Sequence, residues 1–247
     1  MEYTVSLESW NYWAQNICYG TGAIAILILL VHVLRLAVTK DAKTKYDYIN
    51  ASEISLLWYV AILIIISVAL YVNTFSTELT VLLIFVRSFV TIMMSLIVGV
   101  IVQNSLKFYY PFYVEKRLKK LRYQPRISPK TGKAMKLLSE EEEDVYLDEG
   151  MQAEENVYSI DYDVWVDEET GYTKIEKYAG HLHAIQCPEC NYQTLRVTKE
   201  EVVVEPTNDT EGELEKYFDC SYCGYKTKKS FHVAKLSDSH KVQEASI

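Results

Sequence analysis

The chain has 247 residues, 49% of them apolar, and a net charge of −8 at pH 7. As averages over the chain, these values are typical of a protein with one or two soluble domains. The average hides two unlike halves, because 12 Lys and Arg accompany 7 Asp and Glu up to Arg126, whereas 13 accompany 26 after it. Uncharged runs of membrane-spanning length in the first half exclude a purely soluble protein, and the acidic second half argues against nucleic-acid binding, which needs a basic surface.

Three apolar segments, roughly residues 17–38, 54–72 and 79–102, each reach the ~20 residues that cross a ~30 Å hydrocarbon core. The uncharged run from Ile54 to Val72 is too long for an ordinary core helix, so we predict three transmembrane helices. The acidic start, MEYTVSLESW, does not resemble a signal peptide, and the first helix is expected to stay in the mature protein. Pro111 is expected to bend or end the third helix near the interface.

Lys and Arg are distributed on one side of these helices. Residues 1–16 and 73–78 contain none, whereas residues 35–45 and 107–126 contain most of those in the first half. Short cytoplasmic loops retain Lys and Arg, so the N-terminus is predicted outside and everything after Val102 in the cytoplasm. We therefore expect a multi-pass protein of the bacterial inner (plasma) membrane.

One charge interrupts the third apolar segment. Arg87 either pairs inside a helix bundle, with a partner that belongs to another chain, or extends toward the headgroups beside Glu78. His32 and Arg35 are expected at the membrane interface, because a proton relay would need a second titratable group and the sequence indicates none.

A basic, aromatic stretch from Lys107 to Arg126 follows the third helix. Its charges are predicted to contact lipid headgroups of the inner leaflet. The alternative is that they only enforce topology. The headgroup contacts are assigned to Lys116, Arg117, Lys119, Lys120 and Arg122.

Four of the five cysteines form two C-x2-C pairs, Cys187 with Cys190 and Cys220 with Cys223, separated by 29 residues. This spacing predicts a structural Zn²⁺ site in which four thiolates leave no open position. Iron, a redox C-x-x-C and two disulfides are the alternatives; disulfides are disfavoured in the cytoplasm, and the β-rich sequence between the pairs does not suit a thioredoxin-like setting. The fifth, Cys18, is expected to pack in the first helix.

The sequence between and after the cysteine pairs predicts an antiparallel β-sheet. The pattern of turn residues around each cysteine pair recurs without cysteine at residues 128–133 and 167–172. These two segments are separated by about as many residues as the two cysteine pairs are. We interpret this as an internal duplication: tandem zinc ribbons of which the first has lost its metal.

An acidic insertion, residues 139–156, lies between the two cysteine-free turns. Ser139 and Glu142 form a capping-box pattern, which predicts a short acidic helix. This helix either docks a basic partner or is a solvated face. Asp161 and Asp163, on the strand that follows, are expected to face solvent, because no calcium-loop pattern surrounds them. His181, His183 and His232 are expected at the surface.

These residues resemble a known family. The run from Met135 to Asp144, the SIDYDVW sequence ending at Trp165 and the two cysteine pairs are similar to the zinc-ribbon tail of TPM-domain membrane proteins, over roughly residues 126–230. The resemblance implies that the first ribbon usually carries two further C-x-x-C pairs, at positions matching Ser128 and Thr131 and Asp167 and Thr170. The extracytoplasmic TPM domain has no counterpart in this sequence, so the resemblance implies a tail and a metal and no activity.

The predicted architecture is an α-helical membrane domain of three transmembrane helices plus a small, mainly-β cytoplasmic domain of tandem ribbons. Its domains are residues 1–106 (membrane), 107–126 (basic juxtamembrane segment), 127–180 (metal-free ribbon), 181–236 (zinc ribbon) and 237–247 (flexible tail). The predicted function is a non-enzymatic adaptor or assembly subunit, whose partners are the bilayer and either other membrane subunits or copies of itself. The alternative is an accessory subunit of a transporter or channel that uses Arg87.

Overall fold

A computed structural model describes residues 4–236 in two compact units that divide between Gln124 and Pro125. The tail predicted at residues 237–247 lies outside the described residues. The first unit is helical and the second consists of two antiparallel sheets with two short helices.

The first unit contains three helices that are long and apolar enough to cross a membrane. Helix α1 spans Glu8–Val38, α2 spans Ala42–Val72 and α3 spans Val81–Asn104. Only three residues join α1 to α2, and Asp41 caps α2 by accepting a hydrogen bond from the Thr44 amide at 2.8 Å. The composition of these helices marks the chain as a membrane protein.

The third helical stretch continues past Pro111 to Arg122, so the helix does not end at Pro111. A π-helical turn, Ser105–Tyr109, leads directly into α4, Tyr110–Arg122. The Tyr110 amide bonds to the Ser105 carbonyl five residues back. Pro111 has no amide proton to donate, and the widened turn places it at the start of α4, where that donor is not needed.

Helices α1 and α2 pack closely through small side chains, whereas α3 has no buried residue. Ala14, Cys18 and Ala25 of α1 are buried, and a Cβ on Gly22 would lie 3.2 Å from the Ser67 hydroxyl of α2. Small residues let helix backbones approach in a membrane, where apolar surface alone does not drive association. The first two helices therefore form the compact part of this unit.

A short β-ribbon ties the start of the described chain to the connection between α2 and α3. Strand β1, Thr4–Ser6, pairs antiparallel with β2, Glu78–Thr80. The Leu7 amide extends the pairing to the Thr77 carbonyl at 2.7 Å, and the Asn11 side chain donates to the Ser76 carbonyl at 2.8 Å. These bonds fix the loop that leads into α3.

A buried carboxylate joins α1, α2 and α4. Glu53 is 1% exposed, and its Oε1 accepts hydrogen bonds from the Tyr110 hydroxyl at 2.6 Å and from Arg117 at 2.7 Å. Its Oε2 lies 3.7 Å from Nε2 of His32, whose Nδ1 contacts the Tyr48 hydroxyl at 2.9 Å. The expectation that His32 has no titratable neighbour is therefore wrong, because α2 brings Glu53 beside it.

The second unit has two three-stranded antiparallel sheets. The first consists of β3 (Lys136–Leu137), β4 (Ile160–Val166) and β5 (Thr173–Ala179), in the order β3-β4-β5. The second consists of β6 (Leu195–Val204), β7 (Gly212–Cys220) and β8 (Lys226–Val233), in the order β6-β7-β8.

The two sheets differ in how much apolar surface they bury. The first packs against the segment between β3 and β4 and has a core of five side chains: Leu147, Ile160, Tyr162, Val164 and Val166. The core of the second consists of two cysteines, Cys187 and Cys220, together with Leu195 and Phe218. Nine of the ten residues of β6 are exposed. The second sheet therefore has little hydrophobic stabilisation of its own.

The acidic segment contains two short helices where the sequence predicts one. Helix α5 is Glu140–Glu143, with the predicted capping box at Ser139, and α6 is Glu149–Asn156, capped by Asp148. Glu143 and Glu154 are buried, while Glu140 and Glu141 are exposed. The segment thus presents one acidic face to solvent and places two of its carboxylates inside the unit.

Removing the Glu53 carboxylate should destabilise the helical unit. In Glu53→Ala, the Tyr110 hydroxyl and the Arg117 guanidinium lose their shared acceptor, and loss of hydrogen bonds to a charged group costs about 1.5–3 kcal/mol. We expect a lower midpoint of thermal unfolding in mild detergent. Glu115→Ala, at an exposed position of α4, is the matched control, and equal midpoints for the two variants would contradict a stabilising role of Glu53.

Candidate metal centre

Both cysteine pairs lie on the same six-residue turn, called a knuckle below. In each knuckle, the amide of the first residue donates to the carbonyl of the sixth, and the amide of the fifth residue donates to the carbonyl of the first. Both hydrogen bonds measure 2.9 Å in the knuckle Cys187–Tyr192, and they measure 2.8 and 3.1 Å in Cys220–Tyr225. The fifth residue has a positive φ, 65° at Asn191 and 73° at Gly224. Asn and Gly tolerate that conformation, which explains why they occupy the position.

The two knuckles bring four thiols together. All four sulfurs lie within 4.8 Å of one another, Cys187 is 3.6 Å from Cys223, and Cys190 is 3.8 Å from Cys220. No disulfide joins them. Sheet pairing provides the geometry, because Leu195, at the start of β6, lies opposite Cys220 at the end of β7. Such a cluster could hold a metal ion.

Hydrogen bonds prepare one of these thiols to ionise. Burial raises the pKa of Cys220, but the Thr194 hydroxyl, 3.0 Å from its sulfur, and the amides of Cys223 and Tyr222 outweigh burial and lower the pKa to about 6. At Cys223 the Tyr225 amide lowers the pKa, but burial and the neighbouring thiols outweigh it and raise the pKa to about 12. A cation between the sulfurs would remove this conflict between like charges.

The first knuckle also packs against α6. The ring of Tyr192 covers Gly150, where an added Cβ would lie 2.1 Å from the ring, and its hydroxyl donates to Asp148 at 3.1 Å. The neighbouring Gln193 amide donates to Glu154 at 2.5 Å. Gly150 is therefore required by the approach of Tyr192, and the acidic segment joins the two sheets.

The two cysteine-free turns have the same backbone as the knuckles. The first amide bonds to the sixth carbonyl at 2.8 Å for Ser128–Lys133 and at 2.9 Å for Asp167–Tyr172, and the fifth residues, Gly132 and Gly171, have φ of 71° and 68°. Four turns in this unit thus share one hydrogen-bonding pattern, and two of them contain no cysteine.

Hydrogen bonds to one carboxylate connect the cysteine-free turns. Oδ2 of Asp167 accepts from the hydroxyls of Ser128 at 2.6 Å, Thr131 at 3.0 Å and Thr170 at 2.8 Å. The Ser128 bond is the main reason that the pKa of Asp167 falls to about 2, against the opposing effect of burial. These four side chains occupy the positions that the cysteines occupy in the other two turns.

The paired aspartates on β4 differ from expectation. Asp163 was expected to face solvent but is 5% exposed: it lies on the central strand of its sheet, directly opposite the buried Glu176 of β5 and on the same face as the buried Trp165. It lies near Glu143, which accepts a hydrogen bond from the Val164 amide at 3.3 Å. Burial raises the pKa of Glu143 to about 7, and neighbouring Glu155, Asp163 and Asp161 add to the rise.

His181, His183 and His232 are exposed, as expected, and do not belong to the thiol cluster.

The charged residues of the first unit have different surroundings. Lys116, Lys119 and Lys120 lie on the exposed face of α4, opposite the buried Val114 and Leu118. Arg117, which the sequence groups with them, binds Glu53 at 2.7 Å while its side chain stays 45% exposed. Arg122 is partly buried and lies 5.7 Å from the ring of Tyr123.

Arg87 donates from Nε to the Asn73 side chain at 3.0 Å.

The pKa of Glu143 should make the stability of the second unit depend on pH. Because the ordinary pKa is 4.5 and the folded one about 7, the folded chain keeps a proton that the unfolded chain releases. The free energy of unfolding therefore falls as the pH rises from about 4.5 to about 7. Glu143→Gln keeps an acceptor for the Val164 amide and should flatten this dependence, becoming the more stable protein above about pH 7.

Midpoints of thermal unfolding between about pH 5 and pH 8 test this expectation. Glu141→Gln, at an exposed position of the same helix, should follow the wild type. The thiol cluster titrates equally in all three proteins, so parallel curves for Glu143→Gln and wild type would contradict the expectation.

No protein-family model, no curated protein and no solved structure matches this chain.

Proposed function

We propose that this protein is a membrane-anchored adaptor or assembly subunit, non-enzymatic, that presents a zinc-bound tandem-ribbon domain to a partner in the cytoplasm. The thiol cluster is the observation that carries the proposal. Four thiolates fill all the positions of a tetrahedral ion and leave none for water or substrate, which is the arrangement of structural and not of catalytic zinc.

The sulfur distances support zinc as the ion. A Zn–S bond of ~2.3 Å gives a tetrahedron whose edges are about 3.8 Å. The pairs Cys187–Cys223 and Cys190–Cys220 are separated by 3.6 and 3.8 Å. Iron also accepts four thiolates, so metal analysis decides between the two.

The shared backbone of the four turns supports the tandem-ribbon interpretation. Each half of the unit has two knuckles followed by strands of one antiparallel sheet. In the first half, three hydroxyls around Asp167 take the place of a metal. This pattern agrees with the resemblance to the tail of TPM-domain membrane proteins, in which both ribbons would descend from metal-binding ones.

The distribution of charge supports the topology and the docking surface. The exposed lysines of α4, and the basic residues around the α1–α2 junction (Arg35, Lys40, Lys43 and Lys45), favour a cytoplasmic side for both regions. A reducing compartment keeps thiols available for metal. Glu140, Glu141 and Asp144 are exposed around Val145, which is 85% exposed. A basic partner with an apolar contact would complement this surface.

Metal analysis of the purified protein tests the zinc site. We expect a single zinc ion per chain in the wild type and in Cys18→Ser, the matched control. Cys187→Ser combined with Cys220→Ser should lose the ion and unfold the second sheet, whose core contains both residues. Iron in place of zinc, or bound metal in the double variant, would overturn the assignment.

Introducing cysteine into the two cysteine-free turns of the second unit tests the tandem-ribbon interpretation. A variant with Ser128→Cys, Thr131→Cys, Asp167→Cys and Thr170→Cys should bind a second zinc ion, because the backbone of both turns already matches that of the knuckles. A variant that folds but still binds a single ion would count against a shared ancestry of the two ribbons.

Affinity purification in mild detergent, followed by mass spectrometry, tests the adaptor role. We expect co-purifying proteins with the wild type and their loss with Glu141→Lys combined with Asp144→Lys. Glu205→Lys combined with Glu211→Lys changes charge equally at exposed positions outside α5 and should retain them. If neither variant nor Cys187→Ser loses a partner, the adaptor proposal fails.

A further inference from the structure

A long groove separates α3 from α2 in the helical unit. It has a volume of about 850 Å³ and extends along α3 from Arg87 to Gln103, about 24 Å at ~1.5 Å per residue. Its walls are mostly apolar, with Ile62 and Ile66 on α2 and Leu96 on α3. The groove is thus nearly as long as a ~30 Å hydrocarbon core is thick.

Small residues on α3 keep this groove open. Thr91, Ser95 and Gly99 follow Arg87 at intervals of four and lie on one face of the helix. A Cβ added to Gly99 would meet no atom within 4 Å. The Thr91 hydroxyl bonds to the Arg87 carbonyl at 2.8 Å, so it offers the groove little polarity. The body of the groove is therefore an apolar channel with room for a hydrocarbon chain.

The end of the groove carries a single positive charge. Arg87 donates from Nε to Asn73, but its Nη1 is buried without an acceptor, and no carboxylate among residues 4–236 forms an ion pair with it. Asn73 caps the C-terminus of α2, so the guanidinium lies where the apolar run ends. Leu7 and Leu79, beside the β-ribbon, close this end.

A cation near one end of an apolar channel matches an amphiphile with an anionic head. The groove's volume of about 850 Å³ falls within the ~300–1,000 Å³ of ordinary ligand pockets. Guanidinium pairs well with phosphate, which accepts two of its N–H groups at once.

We propose that the α2–α3 groove binds an anionic phospholipid, with its phosphate on Arg87 and an acyl chain along Ser95 and Gly99. The lipid supplies the acceptor that Nη1 lacks and fills the space that α3 leaves beside α2. This binding is independent of the adaptor function and of the metal.

Native mass spectrometry of the full-length protein in mild detergent measures the binding. Phosphatidylglycerol and phosphatidylcholine with identical acyl chains are the two probes. We expect the wild type to bind one phosphatidylglycerol about tenfold more tightly than phosphatidylcholine, because both lipids offer Arg87 a phosphate but the cationic choline group of phosphatidylcholine opposes the charge of Arg87. Arg87→Gln should lose the preference, and Arg87→Lys should keep part of it.

Gly99→Leu tests the channel separately from the charge. Leucine has space at this position, so the variant should fold, fill the groove and weaken binding of both lipids. Gly20→Leu is the matched control, because its added Cβ on α1 also meets no atom within 4 Å, and it should bind as the wild type does. Thermal unfolding and zinc content confirm that each variant is folded.

The basic face of α4 provides the competing explanation. If Lys119→Gln combined with Lys120→Gln abolishes the preference for phosphatidylglycerol while Arg87→Gln keeps it, the lipid binds at α4 and the proposal is overturned. Unchanged binding of both lipids in Gly99→Leu also overturns it, as does a co-purifying transmembrane protein that only Arg87 variants lose.

Discussion

The four-thiol cluster is the constraint on which the second sheet depends. Strands β6 and β8 are mostly exposed, and two of the four residues of their core are themselves cysteines. So small a core cannot offset the conformational entropy of three strands without a further link. Binding one ion to sulfurs from both knuckles would supply that link, and metal binding would then be part of folding.

The first sheet meets the same requirement by other means. The segment with α5 and α6 covers β4 and gives the sheet a core of five apolar side chains. Hydroxyl bonds to Asp167 connect its two turns, and Arg126 binds Glu176 through two hydrogen bonds of 2.9 and 2.6 Å. The same turn can therefore occur in the first sheet without cysteine, because hydrophobic burial and the bonds to Asp167 stabilise it there.

The buried carboxylates of the acidic segment unite the two sheets. Glu154 is fully buried and bonds to the Tyr162 hydroxyl, to Lys177 and to the Gln193 amide that follows the first knuckle. Tyr192 and Gln193 thus connect the knuckle that holds Cys187 and Cys190 to α6. The exposed acidic residues of α5 lie on the same segment, which gives the adaptor proposal a physical connection between metal binding and the docking surface.

The sequence by itself determined the features that depend on composition and local spacing. Runs of apolar residues define helices able to cross a membrane, and two C-x2-C pairs define a thiol cluster, because both depend on neighbours within a few positions. The turn residues Asn191 and Gly224 likewise follow from local backbone geometry. Only the tertiary structure decided which side chains from distant segments meet. It placed Glu53 between His32 and Arg117, buried Asp163, Glu143 and Glu154, and left Arg87 at the end of a groove. No local pattern encodes these contacts, since each depends on how separate helices and strands pack, and packing decides whether a charged residue is solvated or must find a partner.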